Sequence, residues 1–435
     1  MLRTRNPGRL CNTVTSPMPC TRRNFLAAPA ILFAFRDGTA RELDRLDFSR
    51  AAPDDDAFWL ELREQFDLDP TVACFNHAGL SPSTRAVREA MAAQVLRANH
   101  NPSRVLWREQ DHELDVVRER LARLLGCSAD ELALTPNATY GLHTVILGLG
   151  LHAGDEILTT THDYSRAHQA MRQRQRRDHT VTVAVELATP CEAPEVVARQ
   201  ILDRVTPRTR LVALSQMTFL TGQQMPIRAV AAELAKLGIP LLVDGAHGIG
   251  LLPDTLQDLG GAFYTACLHK WLMGPLGTGV FVARSNWIDK VWPLQPGEEG
   301  LDNRITKFEQ GGTRPAAPLL ALREALDFHE RLGPRKAARL EALRQRLAAP
   351  LLAESGIRHC GSLDPNICRA MLTIEFAKVE PRPLAAWLWT QHRIHVTTAV
   401  DAGLRALRIS PHVFTTHAEV DRLATILVGV ARNGI

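Results

Sequence analysis

A chain of 435 residues is long enough for one large domain and a smaller one, and 45% hydrophobic with 23% charged residues is ordinary for a soluble globular protein. No apolar run in the body of the chain reaches the roughly 18 residues of a membrane helix, so no stable span is expected. The formal charge of +4 is uneven: residues 1–40 carry six arginines against Asp37, a net of +5, which leaves −1 for the rest and implies no nucleic-acid partner.

In chain order, Thr21-Arg22-Arg23-Asn24-Phe25-Leu26 comes first, followed by a short apolar stretch and the small residues Gly38-Thr39-Ala40. This order reads as a secretory leader, and the paired arginines resemble a twin-arginine signal. Residues 1–40 are therefore expected to engage the twin-arginine export machinery and to be cut after Ala40, leaving a periplasmic or exported protein. Met18 is an alternative start. Residues 41–75 are expected to pack on the small domain. The patterning predicts helices over 82–100, starting at Ser81-Pro82, and over 107–126. Strands are predicted at Glu156–Thr159, Thr180–Val185, Leu211–Ser215, Pro240–Asp244, Phe263–Ala266 and Gly279–Ala283, with helices at 138–150, 192–204 and 226–237 between several of them. Such alternation implies an α/β fold with a large, mostly parallel, doubly wound sheet over 76–315. After about 315 the pattern changes to a long helix (318–349), a strand at Met371–Phe376, a helix near 383–391, strands at 394–397 and 406–409 and a final helix from 416. This reads as a smaller C-terminal α/β domain, 316–435.

The chain holds only six lysines, at 236, 270, 290, 307, 336 and 378. Lys270 alone has an unusual setting, His269-Lys270-Trp271, after a strand and before the Gly274–Gly279 turn. A lysine that forms a Schiff base needs a partly desolvated pocket that lowers its pKa. Twenty-six residues earlier, Leu241-Leu242-Val243-Asp244-Gly245-Ala246-His247 ends a buried strand on a carboxylate. An unpaired carboxylate there is costly, and a protonated pyridine nitrogen would satisfy it. The eight cysteines contain no C-x-x-C pair, so no zinc or other metal site is suggested; their scatter reads as buried small hydrophobes. Trp271 and Trp292 read as packing residues, and His77 as a turn histidine outside the site.

Asp-Gly-Ala-His and Leu-His-Lys-Trp, in this order and separation, resemble the class V aminotransferase family, in particular its isopenicillin-N-epimerase-like subgroup and more distantly the cysteine desulfurases. The resemblance spans roughly residues 70 to 430. It implies the aspartate-aminotransferase fold (fold type I), pyridoxal 5'-phosphate (PLP) as cofactor on Lys270, and a homodimer. It also implies roles residue by residue. Ala138 and Thr139, in Thr135-Pro136-Asn137-Ala138-Thr139, match the phosphate loop, and His269 would assist the phosphate. Tyr164 matches the aromatic that stacks on the cofactor ring. Asp244 would bind the ring nitrogen and His247 the phenolic oxygen. Thr313 resembles the threonine that reaches the partner subunit's phosphate. Arg408 matches the arginine that grips a substrate carboxylate, and Asn76 belongs to the substrate-side segment. The implied substrate is a small-molecule or peptide amine.

Two departures matter. Cys267 stands where relatives carry Asn or Ser on the phosphate. The stretch Thr397–Gly403 lacks the nucleophilic cysteine of desulfurases, and Cys360 and Cys368 lie far upstream of it. The expected chemistry is removal of an α-proton, followed by epimerisation or transamination. The alternatives are a desulfurase or C–S lyase and, from another class, a non-catalytic PLP-binding protein.

Overall fold

A computed structural model describes residues 45–435. The leader, with Arg22, Arg23 and the expected cut after Ala40, lies outside the described residues. Thirteen strands are described: β1 Ala73–Cys74, β2 Leu132–Thr135, β3 Glu156–Thr160, β4 Val181–Val185, β5 Thr209–Ser215, β6 Leu241–Asp244, β7 Phe263–Cys267, β8 Gly279–Ala283, β9 Ile357–His359, β10 Leu372–Phe376, β11 Ile394–His395, β12 Thr397–Ala399 and β13 Ala406–Ile409. Seven of them form one sheet in the order β2-β8-β7-β6-β5-β3-β4. Strands β5 to β8 alternate between two apolar faces. Val212, Leu214, Leu241, Val243, Tyr264, Ala266, Val280 and Val282 point into one cluster, and Leu211, Ala213, Leu242, Phe263, Phe281 and Ala283 into the other. Both faces are covered by helices, which is why these strands read as nearly unbroken apolar runs.

The sheet is parallel from β4 through β7, as expected for the large fold type I sheet, but β8 runs antiparallel to both neighbours. The reason is local. The 268–278 connection holds no crossover helix, and a parallel return needs one. Strand β2, which leads into the Thr135–Thr139 turn, completes the edge beside β8.

Past residue 315 the expected single helix breaks into Ala317–Leu320, Leu322–Leu332 and Arg335–Leu352. Gly333 adopts a positive φ of 53° and Pro334 follows it, a pair that ends one helix and starts the next. The remaining strands form a four-stranded antiparallel sheet, β12-β13-β10-β9, packed against the 335–352 and 417–433 helices around Leu343, Leu347, Leu423 and Leu427. Strands β1 and β11 make a separate parallel pair. Residues 46–66 fill the seam: Phe58, Trp59, Leu62 and Phe66 are buried against Met217 and Trp271 from one side and Phe328, Leu340 and Phe414 from the other. Arg63 also pairs with Glu419, and Arg339 with Asp56. Among the described residues no helix is long and apolar enough to cross a membrane.

The first long helix starts later than expected. Thr84 caps it through its side chain, and the helix runs Arg85–His100. Ser81 is otherwise engaged: its amide donates to the His269 carbonyl (3.0 Å) and its hydroxyl to the His77 carbonyl (3.2 Å). Residues 76–81 are thereby pinned beside Lys270 instead of joining the helix. The second helix is regular only from Asp111 to Leu125, after a wider turn at Leu106–Gln110.

Candidate active site

Ligands of open α/β sheets bind beyond the carboxyl ends of the strands, and here those ends converge on a cavity of about 740 Å³. Asn137, after β2, caps the helix Ala138–Gly148 by accepting from the Tyr140 amide (3.0 Å). The open N-terminal turn of that helix, with Thr139, faces the cavity. An N-terminus offers unpaired N–H groups and a positive dipole end, which suit an anion. The helix sits this close because Gly141 and Gly279 lack side chains. A Cβ on Gly141 would lie 2.3 Å from Thr265 Oγ1, and one on Gly279 would lie 2.6 Å from the Asn137 Cα.

After β3, Asp163 locks the loop by accepting from Thr160 N–H (2.8 Å), both threonine hydroxyls and Ser215 N–H (2.6 Å). This holds Tyr164 at the cavity, edge-on to Phe219 with ring centres 5.6 Å apart. Tyr164 is therefore part of the pocket wall, not a free surface residue.

Asp244 ends β6 and accepts one backbone hydrogen bond, from Ala246 N–H (2.9 Å). Burial raises its carboxyl to about 6, although that amide and the Lys270 charge both pull the other way. Lys270 is half-buried in the same cavity. Desolvation lowers its pKa, opposed by Cys267 and Asp244. Its Nζ lies 3.3 Å from His247 Nε2. Burial drives the His247 pKa well down, so the ring is neutral. Trp271 Nε1–H donates to His247 Nδ1 (3.3 Å). An indole N–H can only donate, so Nδ1 is the acceptor and Nε2 carries the hydrogen. His247 thus presents a fixed donor toward Lys270. Trp271 is fully buried, but it does more than fill space. Trp292, in contrast, is 76% exposed and belongs to no core. Three residues past Lys270, buried Met273 adopts a left-handed φ of 59°, an unusual conformation for a side chain of that size. The lysine therefore stands on a tightly determined turn.

Burial alone does not make a lysine reactive. Lys336 is 2% exposed and is lowered to about 7 by desolvation. It spends its hydrogens on the Trp271 carbonyl and His329 Nδ1, both at 2.8 Å, and does not line the cavity.

The facing wall comes from the small sheets. Arg408 on β13 is buried; its Nη1 donates to the Phe219 carbonyl and its Nη2 to Asn76 Oδ1, both at 2.8 Å. No carboxylate among the described residues pairs with it, its Nε has no partner, and burial lowers it to about 10. A buried guanidinium held by neutral acceptors alone is short of one anion. His269 lines the cavity with its Nδ1 also unpartnered, and burial lowers it to about 4. His77 points elsewhere, edge-on to His412 and Phe414.

Ala138 lines the cavity at the helix N-terminus, and Thr313 lies outside it. The Ala138 amide donates to Cys267 Sγ (3.4 Å), so it is shared with a weak sulfur acceptor that an incoming phosphate would have to displace. Thr313 is exposed and does not line the cavity of the single chain. The cysteines are not all packing residues: Cys360 and Cys368 are buried away from the cavity, but buried Cys267 and half-buried Cys74 both line it. Its Sγ lies 3.7 Å from His395 Nδ1. These two residues are 321 positions apart, and no local motif links them.

A buried strand-end carboxylate, a desolvated lysine, a fixed imidazole donor and an open helix N-terminus in one cavity fit PLP, whose ring nitrogen, carbonyl, phenolic oxygen and phosphate need those four partners. Comparison with known proteins agrees. Residues 74–423 match the family described as aminotransferase class-V. The chain is 30% identical over 398 residues to isopenicillin N epimerase of Streptomyces clavuligerus, covering 85% of this chain and 98% of that one. It is 26% identical over 402 residues to a probable cysteine desulfurase of Aeropyrum pernix (84% and 96%). Among solved structures, the fold is shared with the apo cysteine desulfurase of Thermococcus onnurineus (TM-score 0.75, 21% identity, 86% and 98% covered). It is also shared with a C-DES mutant that carries glycine linked to its PLP cofactor (TM-score 0.74, 23% identity, 84% and 98% covered). The chain belongs to the class V aminotransferase family of PLP-dependent enzymes.

Proposed function

We propose that this enzyme removes the α-proton of an amino acid, or of an amino-acid group within a larger molecule, and completes an epimerisation or a transamination. The observation that carries the reading is Arg408: a buried cation without an anion among the described residues, in the same cavity as Lys270. A substrate α-carboxylate supplies that anion, and the bidentate fork fixes its orientation.

Lys270 would hold the cofactor, Asp244 its ring nitrogen, His247 Nε2–H its phenolic oxygen and Tyr164 its ring face. The 138–148 helix N-terminus, Thr139 and His269 would hold the phosphate. When bound, the cofactor supplies an electron sink for the α-carbon. The chain's own residues do the rest. Arg408 and Asn76 orient the substrate, the cavity walls shield it from bulk water, and Lys270 Nζ, its pKa lowered by desolvation, accepts the α-proton. A C–S lyase or desulfurase is the second reading, supported by the presence of Cys74 in the cavity and by the relatives of that name. The active form is further proposed to be a homodimer in which Thr313 meets the partner's cofactor. Export by the twin-arginine route would make a secreted peptide or its amino-acid precursor the natural substrate class.

The test is α-proton exchange in deuterated water. The purified holoenzyme is incubated with a panel of amino acids and peptides bearing a free amine and read by proton NMR. At least one substrate should exchange its α-proton. Arg408→Gln should raise its KM about 30-fold or more, equivalent to ~2 kcal/mol for a lost charge-assisted contact, while the KM of the corresponding amide stays put. Sulfide release from cysteine without any exchange on other amines would instead favour the second reading.

A further inference from the structure

The small-domain side of the cavity holds a thiol that none of the roles above uses. Cys74 and His395 are partners in register on the parallel pair β1–β11, with Sγ 3.7 Å from Nδ1. Both line the cavity that contains Lys270 and Arg408. Trp389 packs edge-on against the His395 ring, 6.3 Å between centres. The charged group bearing on the thiol is Glu419, itself held by Arg63. Burial first, and Glu419 with it, keep the thiol above its ordinary value, so Cys74 carries its proton at neutral pH. Asn76, two residues on, fixes Arg408. Two steps along extended chain span about 7 Å, so the thiol and the Arg408 anchor stand near each other on the cavity wall. Lys270, on the turn that follows β7, lines the same cavity.

We propose that Cys74, resupplied by His395, is a second proton-transfer residue that protonates the substrate α-carbon from the small-domain side after Lys270 has removed the proton from the large-sheet side. This rests on the α-proton chemistry proposed above and selects epimerisation as its outcome. The Lys270 amine takes the α-proton, and the C–H electron pair stays with the substrate carbon. The Cys74 S–H bond then breaks, its proton forms the new C–H bond, and a thiolate remains. A proton drawn from water through the His395 ring returns to sulfur, while Lys270 releases its proton to solvent. No oxidant or reductant is consumed, and the configuration inverts. A single base would return a proton to the face it came from, giving exchange without inversion.

The test uses the holoenzyme in deuterated water with a substrate from the exchange panel, following deuterium at the α-carbon and configuration separately. The native enzyme should exchange and invert. Cys74→Ala and Cys74→Ser should continue to exchange, with retention, while inversion falls at least 100-fold; His395→Gln should slow inversion about tenfold. A second readout needs no turnover: iodoacetamide should alkylate Cys74, measured by mass spectrometry. The substrate should protect it, and His395→Gln should shift the pH at which it reacts. Inversion by Cys74→Ala at the native rate overturns the proposal, as does a native enzyme that exchanges without inverting. If the variants do not fold, a Cys74 that iodoacetamide cannot reach, or that substrate does not protect, overturns it as well. A native enzyme that exchanges no α-proton with any amine overturns instead the α-proton reading beneath it.

Discussion

The two walls of the cavity are built on different principles. The large-sheet wall is self-sufficient and interlocked: Asp244, His247, Lys270 and Trp271 come from two short segments, and each is positioned by a neighbour. The facing wall is assembled from distant pieces. Cys74 and Asn76 meet His395 and Arg408 across more than 300 positions, and it presents a guanidinium without an anion among the described residues and a thiol beside an imidazole. The first wall is suited to holding a cofactor that stays, the second to receiving a substrate that comes and goes.

Breaking the first wall should have the largest effect. Lys270→Ala should abolish covalent cofactor attachment while the fold persists, since a half-buried side chain facing a cavity leaves no core void. The visible band of the purified protein should vanish, and borohydride should no longer fix cofactor to the chain. A surviving reducible linkage would move the role to another of the six lysines.

Asp244→Asn comes next, because it keeps the shape and removes only the charge. Turnover should fall well beyond tenfold, or about 1.4 kcal/mol in barrier, with cofactor still bound. The stability of the cofactor-free protein should respond in the opposite sense. The Asp244 carboxyl is raised in the folded chain to about 6 from 3.8, so the folded state binds the extra proton between those values. Its contribution is fully present below about pH 4 and is lost as pH rises through 6, by about 3 kcal/mol at ~1.4 kcal/mol per unit. The native protein without cofactor should lose stability relative to Asp244→Asn over that window, and saturating PLP should close the gap. Parallel denaturation curves at pH 4 and pH 7 would reveal no change if the carboxylate were already paired.

The same contrast explains what the sequence could say. The large-sheet wall was legible because strand ends carry their chemistry in contiguous segments: Asp244 and His247 in one, His269 to Trp271 in another. The phosphate-side helix was placed for the same reason. The antiparallel β8 was not legible, because direction depends on a connection lacking a helix and not on the strand's own apolar pattern. Neither was the break at Gly333-Pro334, where amphipathic periodicity continues on both sides and hides the turn. The Cys74–His395 contact was invisible for a stronger reason. It exists only because β1 and β11 pair in one register, and a slip of one residue would turn the thiol to the opposite face.

The smallest expected effect sharpens the distinction between packing and positioning. Trp271 looks like a core residue by burial, stacked on His412 at 5.6 Å, yet its indole N–H fixes which nitrogen of His247 bears the hydrogen. Trp271→Phe keeps an aromatic ring in the stack and deletes that donor. The His247 Nδ1 then has no partner, and the ring is free to adopt the other tautomer, with Nε2 turned from donor to acceptor beside Lys270. We expect a fall in turnover of about tenfold, equivalent to ~1.4 kcal/mol, together with a shifted pH dependence of the bound cofactor's absorption. Nitrogen-15 NMR of the His247 ring should report a mixture of tautomers in place of one. Packing loss alone would lower the melting temperature and leave the absorption titration and the tautomer signal where they were. That outcome would return Trp271 to the core and leave His247 oriented by the cofactor itself.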